Sequence, residues 1–361
     1  MDYEKILEEQ MNNVIDPEQA GIISEKAGEI SGSIAEEFTM EKILEATLSG
    51  ESIFKSQQLI DGLKSLILYE IRAALVLGVE ILIICIIIGL VRNLSSSFGK
   101  KSMSDITLLV CTMIIIGISV NSFRLAYELA VDSVTTMVST MEILTPILLG
   151  ILISTGSIAS GTVMSPVVIG AVTGTGIILK RLILPAMFAA TILTLVNCLT
   201  EKDYVNKLSK LLRNAALAVT GLIIAILSGI ISVQGLITDA SDGLLINTAK
   251  YSLSTFIPIV GGFTADTAEL FVRCMGTIKS IVGIFGIIAL ILVILTPLIK
   301  LLAIALIYKL TAAAAEPICE SKISDGLNDM GSCIISLGAV LFFAALLFII
   351  FISVIIGMGG G

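Results

Sequence analysis

The sequence contains no histidine and no tryptophan, and charged residues make up only 14% of the chain. Without histidine the chain lacks the commonest general base and the commonest zinc ligand, and it cannot form a Ser-His-Asp triad. The six cysteines show no CxxC pair and no metal-binding spacing. They are Cys85, Cys111, Cys198, Cys274, Cys319 and Cys333. We therefore expect no enzyme activity, no metal site and no cofactor.

Apolar residues, in contrast, are in excess. They form 56% of the chain, and the mean hydropathy is +1.02, whereas soluble domains carry about 45–50% apolar and about 25% charged residues. The excess is concentrated in runs long enough for a helix to cross a hydrocarbon layer of about 30 Å. The sequence predicts an all-α, polytopic helical membrane protein.

The apolar runs predict a membrane domain of seven to eight spans over residues 71–357, followed by a Gly-rich tail, 358–361. The predicted spans are 71–91, 106–123, 143–160, 163–179, 182–199, 215–233, 281–307 and 333–357. The third and fourth form one stretch that serine, glycine and proline interrupt, so two full crossings and a pair of re-entrant helices both remain open. The candidate broken-helix or conduit residues in this stretch are Pro146, Gly150, Gly156, Gly161 and Pro166.

Residues 1–70 differ from the rest in charge and are predicted to form an acidic amphipathic helical head. They hold 5 Lys and 15 Asp or Glu, a net charge of -10, while the remainder has a net charge of +2. A head of this size supports only a small core, so we expect it to pack on the membrane domain or on a partner. No run before residue 70 has the apolar region of a signal peptide.

Lysine and arginine in short loops predict the orientation, because cytoplasmic loops are enriched in these residues. The basic loops 92–104 and 200–214 are therefore assigned to the cytoplasm, which places the head outside it. Lys180 and Arg181 fit this topology poorly, because it puts them near the outer face.

Two segments suggest an internal repeat. The residues Ile118–Ser122 resemble Ile231–Gly235, and each segment is followed by a proline step. The first step is Pro146 with Gly150, and the second is Pro258 with Gly261 and Gly262. A parallel duplication of units 71–170 and 183–280 and a chance match between apolar helices both remain open.

Four polar residues interrupt or border the apolar spans: Glu80, Asn121, Gln234 and Lys300. Glu80 has two interpretations, a pore-lining or ion-coupling group and a structural carboxyl paired with a neighbouring helix. Lys300 has a simpler interpretation, an ammonium that extends to the membrane surface. Gly170 and Gly174 have the small-residue spacing that lets membrane helices pack closely.

Several separated motifs, in order, resemble the stage III sporulation protein AE family of endospore-forming bacteria. They are Leu211–Asn214, Gly229–Gly235, Thr248–Lys250, Phe256–Gly261, Phe263–Asp266 and Ile307–Leu310. The resemblance implies a protein of the mother-cell membrane around the forespore, within a secretion-like channel complex. It implies as partners the ring-forming proteins and the ATPase of that complex, besides the lipid bilayer, and no nucleic acid. The chain departs from the family pattern in lacking the expected N-terminal signal peptide.

The predicted function is therefore that of a membrane-embedded platform or export component of this channel complex. The alternative is a stand-alone secondary transporter or permease for a small solute, which proline-interrupted segments and a parallel repeat would also suit.

Overall fold

Long helices make up nearly all of the chain that the structure describes. The computed structural model describes residues 21–25, 43, 56–98, 101–155, 157–199, 205–256, 261–319 and 321–358. This part is 97% helical and has no strand, which confirms the predicted all-α fold. The helices are α1 (Ser56–Phe98), α2 (Lys101–Ser154), α3 (Ile158–Ile178), α4 (Leu184–Leu199), α5 (Asn206–Phe256), α6 (Gly261–Ala315) and α7 (Ser321–Gly357). A π-helical turn, Leu179–Ile183, joins α3 to α4.

Within the described ranges, six helical segments are long and apolar enough to cross a membrane. They are Ile60–Val91, Leu109–Ser154, Gly161–Cys198, Asn206–Ile230, Val272–Ala315 and Ser321–Gly357. Together they make the chain a multi-pass membrane protein. The predicted seven to eight spans stay a prediction, because Leu109–Ser154 and Val272–Ala315 are each about twice as long as the roughly 20 residues that one crossing needs.

The helical segments are fewer than the predicted spans because two pairs of predicted spans are joined within continuous helices. The spans 106–123 and 143–160 both lie on α2, and the spans 163–179 and 182–199 both lie on the helix that runs from α3 into α4. Residues 124–142 contain neither glycine nor proline, so nothing in their sequence ends a helix. Lys180 and Arg181 lie in the π turn, where the helix continues.

The prolines of the third and fourth predicted spans do not break their helices. Pro146 lies inside α2 and Pro166 inside α3. The chain turns at Thr155 and Ser157, between the end of α2 and the start of α3, where serine and glycine interrupt the apolar stretch. Whether the two helices on either side cross the membrane fully or are re-entrant stays open.

Three contacts bring distant segments together at one end of the bundle, which we call the α6–α7 end. A Cβ atom at Gly89 of α1 would lie 2.6 Å from Ile318, in the turn after α6. The Cys319 thiol donates a hydrogen bond to the Cys85 carbonyl oxygen. Cys198, near the end of α4, contacts Gly326 near the start of α7.

The core runs along α6 and α7, which pack against each other more extensively than any other pair of helices. Its largest fully buried side chains include Tyr308, Phe348 and Phe351. Ile23 and Ile43 of the N-terminal region belong to the same buried cluster. These two described residues of the predicted head therefore pack on the membrane domain.

Candidate functional site

An acidic cavity of about 500 Å³ lies between α1, α2 and α6. Its polar lining residues are Glu70, Glu80, Asn121, Ser122, Glu128, Asp132 and Lys300. The structure thus brings three of the four predicted polar residues, from three helices, into one cavity. Gln234 lies on α5, where its side chain is outside the described residues.

Four carboxylates and one ammonium line this cavity, so its charge is negative. Glu70 is only 7% exposed, and no hydrogen bond or ion pair joins it to another described residue. Glu128, in contrast, accepts a hydrogen bond from Arg124 at 2.8 Å. Negative charge in a cleft with apolar walls concentrates cations, and a carboxylate inside a membrane segment is a candidate for an ion or proton pathway.

Sequence reasoning identified Glu80 as a lone intramembrane acid and did not identify Glu70, Glu128 or Asp132 as its neighbours. One signal was available. Asn121, Leu125, Glu128 and Asp132 follow one another at intervals of four, three and four residues, which places them on one face of an α-helix. That polar face lines the cavity.

A second cavity of about 510 Å³ lies near the α6–α7 end, between α4, α5 and α7. We call it the polar cavity. Its charged residues balance: Lys210 and Lys322 face Asp325 and Asp329. Its other lining residues are Thr194, Asn197, Cys198, Asn206, Ser321, Gly326 and Asn328.

A small space of about 10 Å³, which we call the constriction, adjoins the polar cavity. Cys198 and Gly326 line both the constriction and the polar cavity. Ser119 lines the constriction, and Ser122, less than one helical turn further along α2, lines the acidic cavity. Met330 and Leu327 of α7 close the constriction from the other side.

Tyr308 of α6 is fully buried beside Ser119 and Ser122. The Tyr308 hydroxyl lies within interaction distance of the Ser119 and Ser122 hydroxyls, although neither Tyr308 nor Ser119 has a partner with good hydrogen-bond geometry among the described residues. Buried hydroxyls normally have well-formed hydrogen bonds, so this loosely connected group calls for a functional or structural reason.

Hydrogen bonds between side chains fix the helices around the polar cavity. Ser209 of α5 donates to the Ala190 carbonyl oxygen at 2.8 Å and lies 2.6 Å from the Thr194 hydroxyl. Lys309 of α6 donates to Asn328 at 3.2 Å and to Ser332 at 3.1 Å. These contacts connect α5 to α4 and α6 to α7.

The predicted broken-helix residues lie elsewhere, and those that the structure describes line none of these three spaces. Pro146, Gly150, Gly161 and Pro166 lie at or near the turn between α2 and α3. Gly161 is in close contact with Ile153 across that turn. Gly261 and Gly262 begin α6, whereas Gly156 and Pro258 are outside the described residues.

Gly170 and Gly174 lie on α3, and no atom of the described residues is within 4 Å of a Cβ placed at either. Their predicted role in close helix packing stays a prediction. The close contacts of the bundle are at other glycines, including Gly78, Gly89 and Gly176. Among the residues searched, no cluster of three acidic or cysteine side chains has the arrangement of a metal site.

Comparison with known proteins places this bundle in a family. A sequence model described as stage III sporulation protein AE matches residues 38–359. The chain belongs to the stage III sporulation protein AE family. It is similar to stage III sporulation protein AE of Bacillus subtilis strain 168, at 30% identity over 349 residues, which cover 94% of this chain and 87% of that protein. No solved structure matches it.

Membership of the stage III sporulation protein AE family gives the chain a role in sporulation. The match extends over all six candidate spans, so the acidic cavity, the constriction and the polar cavity all lie within the family's membrane domain. The proposed repeat of 71–170 and 183–280 stays a prediction, as do the domain boundary at residue 70 and the orientation.

Proposed function

We propose that this chain is the membrane-embedded platform or export component of the channel complex between mother cell and forespore. The observation that carries the proposal is the family match over residues 38–359, which includes the whole helical bundle. The proposal places the chain in the mother-cell membrane around the forespore, with its N-terminal head outside the cytoplasm. Its partners are the ring-forming subunits and the ATPase of the same complex.

The sizes of the cavities support a platform rather than a protein-conducting tube formed by one chain. Cavities of about 500 and 510 Å³ are the size of a small-molecule site. The space between them is about 10 Å³, which is roughly the volume that one water molecule needs. A conduit for a folded or extended protein would therefore require other subunits or several copies.

Affinity purification from sporulating cells tests the proposal. We expect the tagged chain, solubilised in mild detergent, to co-purify with ring-forming subunits and the ATPase in stoichiometric amounts. A tagged multi-pass protein from the same membrane serves as the control. Purification of the chain without these subunits, after cross-linking in intact cells, would contradict the platform role.

The second candidate is a secondary transporter for a small solute, and the two cavities on either side of a constriction favour it. Such an arrangement suits alternating access from either side of the membrane. Uptake of solutes by liposomes that contain only this chain would distinguish it from the platform. Neither role requires enzyme chemistry, and the absence of enzyme activity stays a prediction.

A further inference from the structure

The acidic cavity, the constriction and the polar cavity are connected in that order through neighbouring or shared lining residues. The acidic cavity extends from Glu70 to Glu80, about 15 Å at 1.5 Å per residue. Glu80 is about 16 Å before Val91, where the candidate span ends, so it lies near the middle of a hydrocarbon layer of about 30 Å. From there Ser122 and Ser119 lead to the constriction, and Cys198 and Gly326 lead on to the polar cavity.

We propose that this chain conducts protons through its own bundle, from the acidic cavity past Tyr308 and Ser119 to the polar cavity. This activity goes beyond the platform role and does not depend on it. Proton conduction would let a complex in this membrane draw energy from the proton gradient, whether or not the same chain contacts exported proteins.

The volume of the constriction selects the proton among cations. Its space of about 10 Å³ is at the lower limit for a single water molecule. A hydrated sodium or potassium ion, or an organic solute, requires much more. A proton needs no space of its own, because it passes between hydrogen-bonded oxygen atoms.

The groups around the constriction are of the kind that such a transfer requires. The buried Tyr308 hydroxyl lies beside the Ser119 and Ser122 hydroxyls without a well-formed hydrogen bond from Tyr308 or Ser119 to any described residue, and Ser122 borders the acidic cavity. A hydroxyl both donates and accepts hydrogen bonds. One water molecule between these hydroxyls would satisfy them and complete a chain of oxygen atoms.

The charged residues at the two ends of the proposed path, in the acidic cavity and in the polar cavity, suit proton entry and exit. In the acidic cavity four carboxylates outnumber the single ammonium of Lys300, and one of them, Glu70, is almost fully buried and has no ion pair with another described residue. In the polar cavity Asp325 and Asp329 are one helical turn apart on α7. Carboxylates at both ends take up protons from water and release them to it.

The transfer conserves protons at each step. A proton enters from water in the acidic cavity and binds at Glu80 or a neighbouring carboxylate. It passes to an oxygen of the Ser122, Tyr308 and Ser119 group, and each hydroxyl that accepts a proton releases its own to the next oxygen. One proton leaves through Asp325 or Asp329 into water of the polar cavity, and no oxidant or reductant takes part.

Proton flux into liposomes that contain the purified full-length chain tests the proposal. A potassium diffusion potential set with valinomycin drives protons inward, and an enclosed pH-sensitive dye reports the initial rate. We expect the wild type to exceed protein-free liposomes. We expect Tyr308→Phe to lower the additional rate about tenfold, the effect of losing one hydrogen bond from the path.

Three variants distinguish an effect on the proton path from an effect on folding. Tyr127→Phe removes a hydroxyl from α2 at a ring that packs 5.1 Å from Phe188, whereas the Tyr308 hydroxyl lies beside Ser119 and Ser122, and it should leave the rate unchanged. Ser119→Ala should lower the rate as Tyr308→Phe does, and it replaces Tyr308→Phe if that variant fails to fold. Met330→Ala, which widens the constriction, should raise the rate.

Several outcomes would overturn the proposal. The first is that both the wild type and Met330→Ala conduct no faster than protein-free liposomes. The second is that Tyr308→Phe or Ser119→Ala, reconstituted in equal amount, conducts like the wild type. The third is that wild-type liposomes pass sodium or potassium as fast as protons, because the constriction would then not select by size.

Discussion

The thiol of Cys319, in the turn between α6 and α7, donates a hydrogen bond to the carbonyl oxygen of Cys85 on α1 at 3.2 Å. Both residues are buried, and they are far apart in the sequence. We expect a short bifunctional thiol reagent, or mild oxidation, to link Cys85 to Cys319 within one chain in isolated membranes. Mass spectrometry of the digested protein identifies the linked peptides.

Two single substitutions serve as controls for this cross-link. Cys319→Ser should abolish it, whereas Cys111→Ser should leave it intact. Linkage of Cys319 to Cys198 or Cys333 in preference to Cys85 would contradict the position of α1 at the α6–α7 end.

Gly89 permits the closest approach of α1 to the α6–α7 turn. A Cβ atom there would lie 2.6 Å from the Ile318 side chain and 2.9 Å from the Ile318 carbonyl oxygen. Because a backbone atom cannot move aside cheaply, we expect Gly89→Ala to lower the free energy of unfolding by about 1–3 kcal/mol. Thermal unfolding in detergent, followed by circular dichroism, measures the change.

Gly117→Ala is the matched control, because a Cβ atom at this exposed helical position of α2 would contact nothing within 4 Å. It should raise the stability by up to about 1 kcal/mol through helix propensity alone. Equal stability of the two variants would show that α1 does not pack on Ile318.

Ser209 is the polar contact that fixes α5 to α4. Its hydroxyl is buried, donates to the Ala190 carbonyl oxygen at 2.8 Å and pairs with Thr194 at 2.6 Å. We expect Ser209→Ala to cost about 1–3 kcal/mol, because Thr194 and the carbonyl oxygen lose a partner. Thermal unfolding and the rate of proteolysis both report this loss.

Ser65→Ala is the control for Ser209→Ala, since the Ser65 hydroxyl is exposed and bonds only to the Gly62 carbonyl oxygen in the preceding turn. It should change the stability little. An equally small effect of Ser209→Ala would mean that apolar contacts alone position α5.

The fold class followed from the sequence because apolar runs of membrane length have few alternatives to helices in lipid. The number of separate helices could not be predicted from the sequence. Hydropathy divides a chain wherever polar residues occur, and residues 124–142 are polar enough to end an apolar run. They nevertheless continue α2, since no glycine or proline interrupts them. The proline rule also failed at Pro146 and Pro166, where the helix continues on both sides.

The candidate site was predictable in its parts and not in its assembly. Glu80, Asn121 and Lys300 each stand out in an apolar sequence, but only the packing of α1, α2 and α6 puts them in one cavity. Tyr308 lies in the family motif Ile307–Leu310, but nothing in the sequence pointed to its place beside the constriction, because a tyrosine in an apolar run resembles any buried aromatic residue. The glycines at close contacts, Gly78 and Gly89, lacked the paired spacing that pointed to Gly170 and Gly174.

Water in the acidic cavity can be tested directly with cysteine. Methanethiosulfonate reagents react with the thiolate, which forms in water and not in lipid. Both Glu80 and Ile83 are exposed on α1, but only Glu80 lines the cavity. We therefore expect Glu80→Cys to react with a membrane-impermeant cationic reagent in intact vesicles, faster than the buried native cysteines of the parent protein. Ile83→Cys, facing lipid, should remain unmodified.

The charge of the reagent provides a second criterion. The carboxylates that remain around position 80 should attract a cationic reagent and repel an anionic one, so Glu80→Cys should react faster with the cationic form, and added salt should reduce the difference. Reaction from one side of the vesicle only would identify the side on which the cavity opens and thereby test the predicted orientation. If Glu80→Cys and Ile83→Cys are equally unreactive with both reagents, the carboxylates lie in a dry groove, and neither solute transport nor proton conduction can begin there.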